Sequence, residues 1–138
     1  MIILDTNVIS EVFKPEPAPE VLAWLQQQDD ELVFTTAITR GELLYGLNIM
    51  AQGKRRDTLV SGLQRIFAVR FTGLVLPYDE AAADAYALIL AQRRIMGRPT
   101  GMSDAMIAGI THSRGATLAT CNTRDFEGCR IDLVDPWH

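Results

Sequence analysis

Met1-Ile-Ile-Leu-Asp-Thr-Asn-Val-Ile-Ser10 decides the fold of this chain. Ile2, Ile3 and Leu4 form a continuous apolar run, the pattern of a strand buried on both faces of a parallel sheet. The run stops at Asp5, and Thr6 and Asn7 after it favour turns and helix starts. An acid placed where a buried strand leaves the core sits at the sheet edge where ligands bind in open α/β folds, outside the carboxyl ends of the strands.

Further apolar runs follow the same pattern. Leu32-Val33-Phe34, Leu74-Val75-Leu76, Ala116 to Thr120 and Ile131 to Val134 read as strands. Helical patterns lie between them, at about Thr6–Val12, Ala18–Gln28, Ala37–Gln52, Arg56–Phe71, Asp79–Met96 and Ser103–Ser113. Short apolar strands alternating with helices predict an α/β sandwich around a mostly parallel sheet. Thr36, Asp79 and Ser103 are candidate helix caps. The alanines of 79–96 allow close helix packing, within the domain or against a second copy.

The 138 residues suffice for one domain, 1–138, with a real core. A composition of 48% hydrophobic and 22% charged residues is that of a soluble globular protein. No apolar stretch reaches the roughly 18 residues of a membrane span, and the N-terminus has no basic leader, which predicts a cytoplasmic protein without membrane contact. Two cysteines, Cys121 and Cys129, form no CxxC pair, and two histidines are too few for a His-rich metal site. The net charge of −4 argues against a protein that coats nucleic acid non-specifically.

The acids matter more by position than by number. Asp5 ends the first strand, while Asn122 and Asp125 follow the fourth. Asp104 opens the helix before the fourth strand. Glu42 shares a helix stripe with Ile38, Tyr45 and Ile49, which reads as a carboxylate on a buried apolar face. The order of elements alone leaves open whether the start of the Asp104 helix reaches the same sheet edge. Gathered in one cleft at ~5 Å and an effective dielectric near 20, each pair of carboxylates repels by roughly 3 kcal/mol. Protonation or a hard cation relieves this, and oxygen-only ligands favour Mg²⁺ or Mn²⁺. Gly53-Lys54-Arg55-Arg56-Asp57 reads as a basic turn. Arg93, Arg94 and Arg98 read either as a charged helix end or as a phosphate-contacting rim. Cys121 reads as a strand-end packing residue rather than a nucleophile.

Four segments, taken together and in order, resemble the motifs of PIN-domain nucleases of the VapC toxin family, including its FitB-like members. They are Leu4-Asp5-Thr6-Asn7, Ile38 to Leu43 around Glu42, Ser103 to Ala108, and Leu118 to Phe126; the closing Pro136-Trp137-His138 also fits. The resemblance implies a three-layer α/β/α fold and a metal-dependent endoribonuclease, usually the toxin of a type II toxin–antitoxin pair. It implies Asp5, Glu42 and Asp104 as ligands of Mg²⁺ or Mn²⁺, with Thr6 and Ser103 as supporting hydroxyls, and the start of the Asp104 helix at the cleft. The family's fourth site residue, often Asp, falls on Asn122, so one negative charge is missing; Asp125 either substitutes for it or forms only a turn. The implied partners are substrate RNA, a cognate antitoxin and a second copy of the chain, in a homodimer or higher even oligomer. DNA is met only through the antitoxin. Lys54, Arg55, Arg93, Arg94 and Arg98 are candidates for guiding RNA past the acids. Two other readings compete. One is a haloacid-dehalogenase-like phosphatase, disfavoured because Asn7 stands where that chemistry needs a second aspartate. The other is a catalytically weak or inactive PIN module that serves dimerisation and assembly of the antitoxin–promoter complex.

Overall fold

A computed structural model describes all residues from Met1 to His138. Five strands form one sheet: β1 (Ile2–Leu4), β2 (Val33–Thr36), β3 (Val75–Leu76), β4 (Thr117–Ala119) and β5 (Asp132–Val134). Their order is β3-β2-β1-β4-β5, and every neighbouring pair is parallel. The β1 run is central, and its alternation serves two cores. Ile3 packs on one face with Leu118, Ile107, Ile110 and Ile89, whereas Leu4 packs on the other with Val8, Val33, Leu63 and Phe67. Helices therefore cover both faces, giving the predicted three-layer α/β/α arrangement. No helix is long and apolar enough to cross a membrane.

The helices are α1 (Thr6–Val12), α2 (Pro19–Gln26), α3 (Ala37–Asn48), α4 (Lys54–Arg65), α5 (Glu80–Ile95), α6 (Met102–Ser113) and the single turn α7 (Thr123–Phe126). After Arg65, α4 continues as a wider turn over Ile66–Arg70, closed by Phe71 N donating to the Ile66 carbonyl. Thr36 and Asp79 cap α3 and α5 as expected, each accepting from a backbone N–H three residues on at 3.0 Å.

Four local expectations need correction. α3 ends at Asn48 rather than near Gln52, and Lys54 and Arg55 form the first turn of α4 rather than a loop. The stripe of Ile38, Glu42, Tyr45 and Ile49 is not the buried face of α3, since Tyr45 and Ile49 are 56% and 71% exposed. A second stripe at helical spacing, Thr39, Leu43 and Leu47, turns inward instead. Ser103 is not a cap: Gly101 holds that position, and Ser103 lies in the first turn of α6.

α5 and α6 pack as an antiparallel pair, with Arg114 beyond α6 reaching Asp79 at the start of α5. Gly109 makes this close approach possible, because a Cβ there would lie 2.6 Å from the Ala82 carbonyl oxygen. α6 leads directly into β4 and runs against it, so its first turn lies at the carboxyl edge of the sheet. That geometry answers the question the order of elements left open.

Candidate active site

The carboxyl edge of the central strands opens into a cleft of about 550 Å³, walled by Asp5, Thr6, Asn7, Glu42, Asp104 and Asn122. Asp5 is buried, and its position follows from β1 ending against β4. Its Oδ1 accepts from Thr6 N at 2.8 Å. Its Oδ2 accepts from Thr120 Oγ1 at 2.8 Å and from Asn7 Nδ2 at 3.0 Å. Burial pushes the Asp5 carboxyl above its usual range, these three hydrogen bonds pull it down, and the charge of Asp125 adds to the rise.

Glu42 approaches from α3 and is exposed. Its Oε1 accepts from Thr6 Oγ1 at 2.8 Å, and Thr6 Oγ1 lies 3.2 Å from Thr39 Oγ1. Asp104, in the first turn of α6, is the most perturbed of the acids. Burial, then the charges of Asp5, Asp125 and Glu42, raise its pKa to about 6. Four carboxylates from four separate segments thus act on one another electrostatically. As the side chains stand, no three of them surround a common point at ligand distance, because Asp5 and Glu42 are turned onto hydroxyl and N–H donors.

Of the residues expected to support the site, Thr6 touches Glu42 directly. Ser103 lines an adjoining hollow with Glu42 and Tyr45 rather than the cleft itself. Asn122 lines the cleft, its N–H held by Thr120 Oγ1 at 3.0 Å, and Asp125 acts on Asp5 and Asp104 through its charge. Cys121 is exposed at the cleft wall, so it is not a packing residue. Partial burial and the nearby Asp135 carboxylate raise its thiol pKa, which keeps it protonated and a poor nucleophile.

The basic residues are placed differently from expectation. Arg93 is buried and donates to the Glu127 carbonyl, which removes it from any RNA rim. Arg98 is committed to the Glu127 carboxylate at 3.1 Å. Lys54, Arg55 and Arg94 are exposed but do not line the cleft.

Sequence reasoning missed the part played by Asn7. Its amide donates to Asp5 and to Thr120 Oγ1 at 3.1 Å, and its Oδ1 accepts from Cys121 N at 3.1 Å. It therefore ties the ends of β1 and β4 together. Two positions after a strand-ending acid, an amide with both donors and an acceptor was the available signal. Asn7→Ala is expected to destabilise the fold by about 2 kcal/mol, read by urea unfolding, because it leaves buried partners unsatisfied.

Comparison with known proteins bears on this geometry. The family model for the PIN domain matches residues 2–129. The VapC ribonuclease Y4jK of Sinorhizobium fredii is 41% identical over 99% of this chain and 98% of its own length. Toxin FitB of Neisseria gonorrhoeae is 36% identical over 100% of this chain and 99% of its own. The structure of FitAB bound to an IR36 DNA fragment superposes with a TM-score of 0.94 at 35% identity, covering 100% of this chain and 96% of the solved one.

Proposed function

Because this chain belongs to the PIN-domain family, among the relatives of VapC and FitB, we propose that it is a Mg²⁺- or Mn²⁺-dependent ribonuclease toxin held in check by an antitoxin. The observation that carries the reading is the convergence of Asp5, Glu42 and Asp104 on one cleft at the carboxyl edge of the sheet, close enough for their charges to act on one another. Such a cluster is costly without a cation and well suited to holding one. Its donors are all oxygen, the chemistry of Mg²⁺ and Mn²⁺.

Asp5, Glu42 and Asp104 are the residues that would hold the ion, directly or through water. The cation supplies a Lewis acid that lowers the pKa of water and offsets charge on a phosphate. The protein supplies placement. Asp5 is fixed by Thr6, Asn7 and Thr120, Glu42 is held at the same cleft by Thr6, and Asp104 faces it from the first turn of α6. Asn122 offers a neutral amide at the wall for orienting water or substrate.

An apolar groove of about 250 Å³, lined by Phe13, Leu43, Leu47, Leu59 and Leu63, adjoins the cleft and shares Thr6 and Glu42 with it. It suits the apolar face of an antitoxin helix. Leu88, Ile95 and Met96 of the α5 region are more than half exposed and suit a second copy of the chain. DNA is then reached only through the antitoxin, and the working compartment is the cytoplasm.

Chelation tests the metal. EDTA is expected to lower the rate of RNA cleavage at least 100-fold, with recovery on adding excess Mg²⁺ or Mn²⁺; undiminished cutting in EDTA would refute the metal requirement.

A further inference from the structure

The cleft that holds the acids has one cationic side chain on its wall, Lys14. RNA must bring a phosphate into this field of carboxylates, and the arginines expected at its rim, Arg93, Arg94 and Arg98, do not line the cleft. We infer that Lys14 contacts a phosphate of the substrate RNA and is a binding determinant of this nuclease, an inference that rests on the ribonuclease reading.

Lys14 lies two residues beyond the end of α1, and its Nζ lies 2.9 Å from Glu11 Oε1. The two partners differ sharply in exposure. The Glu11 side chain is 8% exposed, whereas that of Lys14 is 61% exposed. The second oxygen of Glu11 accepts from Ala18 N at 3.0 Å, which ties the carboxylate to the start of α2. Glu11 is therefore a fixed anchor, and the Lys14–Pro15 turn lays the lysine against it at the cleft wall. An ammonium has three donors, and the Glu11 contact uses one. The others remain for a phosphate oxygen, and anchoring reduces the rotamer freedom lost on binding. The same lysine offsets the repulsion between an incoming phosphate and the cluster of Asp5, Glu42 and Asp104.

The test uses Lys14→Gln, which keeps a hydrogen-bond donor for Glu11 without the charge, and Lys14→Arg, which keeps the charge. Thermal unfolding of both variants establishes that each is folded. Affinity for a fluorescein-labelled single-stranded RNA of ten nucleotides is measured over a salt series in the Asp104→Asn background, where the RNA survives. KM and kcat for the same RNA are measured with Asp104 present. Lys14→Gln is expected to weaken binding about tenfold. It should reduce the slope of log affinity against log salt by about 0.7, the signature of one lost phosphate contact to a single strand. It should raise KM about tenfold with kcat within twofold of the parent, and Lys14→Arg should restore binding and KM. A protein that cuts RNA but whose Lys14→Gln form keeps the parental affinity, salt slope and KM overturns the Lys14 contact alone. A parent that neither binds nor cuts the RNA overturns the contact and the ribonuclease reading together.

Discussion

Asp104→Asn is expected to abolish RNA cleavage, by at least 100-fold, while making the protein more stable at pH 7. Both effects have one origin. The Asp104 carboxylate is partly buried and faces the charges of Asp5, Asp125 and Glu42, so its pKa stands at about 6, against about 3.9 for an unperturbed aspartate. Between those values the folded protein holds a proton that the unfolded chain has released. Stability then falls as pH rises through that window. The folded state is unburdened below the lower value and bears the full cost above the upper one. Asparagine removes the charge and with it the cost. Allowing for the solvent that reaches Asp104, the gain at pH 7 is about 1–2 kcal/mol. Urea unfolding of both proteins at pH 7.5 and near pH 4 checks the sign, since the advantage of the variant should shrink at the lower pH. A group that lowers stability in the free protein and is required for activity behaves as a functional acid.

The second large effect lies away from the chemistry. Gly109→Ala is expected to destabilise the protein by about 2 kcal/mol, although alanine is the better helix former by about 1 kcal/mol. The new Cβ would meet the Ala82 carbonyl oxygen at 2.6 Å and Tyr86 N at 3.0 Å, and both are backbone atoms that move only if α5 moves. Gly46→Ala in α3 is the control, since a Cβ there meets nothing within 4 Å. It should be neutral or stabilising by up to about 1 kcal/mol. The urea midpoint should therefore fall for Gly109→Ala and hold or rise for Gly46→Ala. Because α6 carries Asp104 into the cleft, Gly109→Ala should also lower the cleavage rate.

The fold was legible because each strand announces itself. The Ile2–Leu4 run has no polar member, as a strand covered on both faces requires, and Asp5 marks where it ends. The caps at Thr36 and Asp79 follow from local hydrogen bonding and were readable for the same reason. α3 misled because it carries two apolar stripes, and periodicity cannot say which one the sheet will cover. Arg93 misled because a run of arginines at a helix end reads as solvated, whereas the loop around Glu127 closes over it. Asp5 was singled out from a strand end, Glu42 from its place on a helix stripe and Asp104 from a helix start, with the family resemblance linking the three, rather than from a consecutive motif. Their electrostatic coupling emerges only when α3 and α6 converge on β1. Asn7 lay in plain view beside Asp5 and Lys14 just after the helix that follows, but their contacts span the chain or depend on the burial of Glu11.

On the proposed reading these carboxylates form the ribonuclease site. Cleavage of end-labelled RNA in Mg²⁺ by the parent and by Asp104→Asn, purified identically, tests it most directly. The expected result is discrete cutting by the parent and at least a 100-fold loss in a variant that is folded and at least as stable. Equal cutting by the two proteins would contradict it.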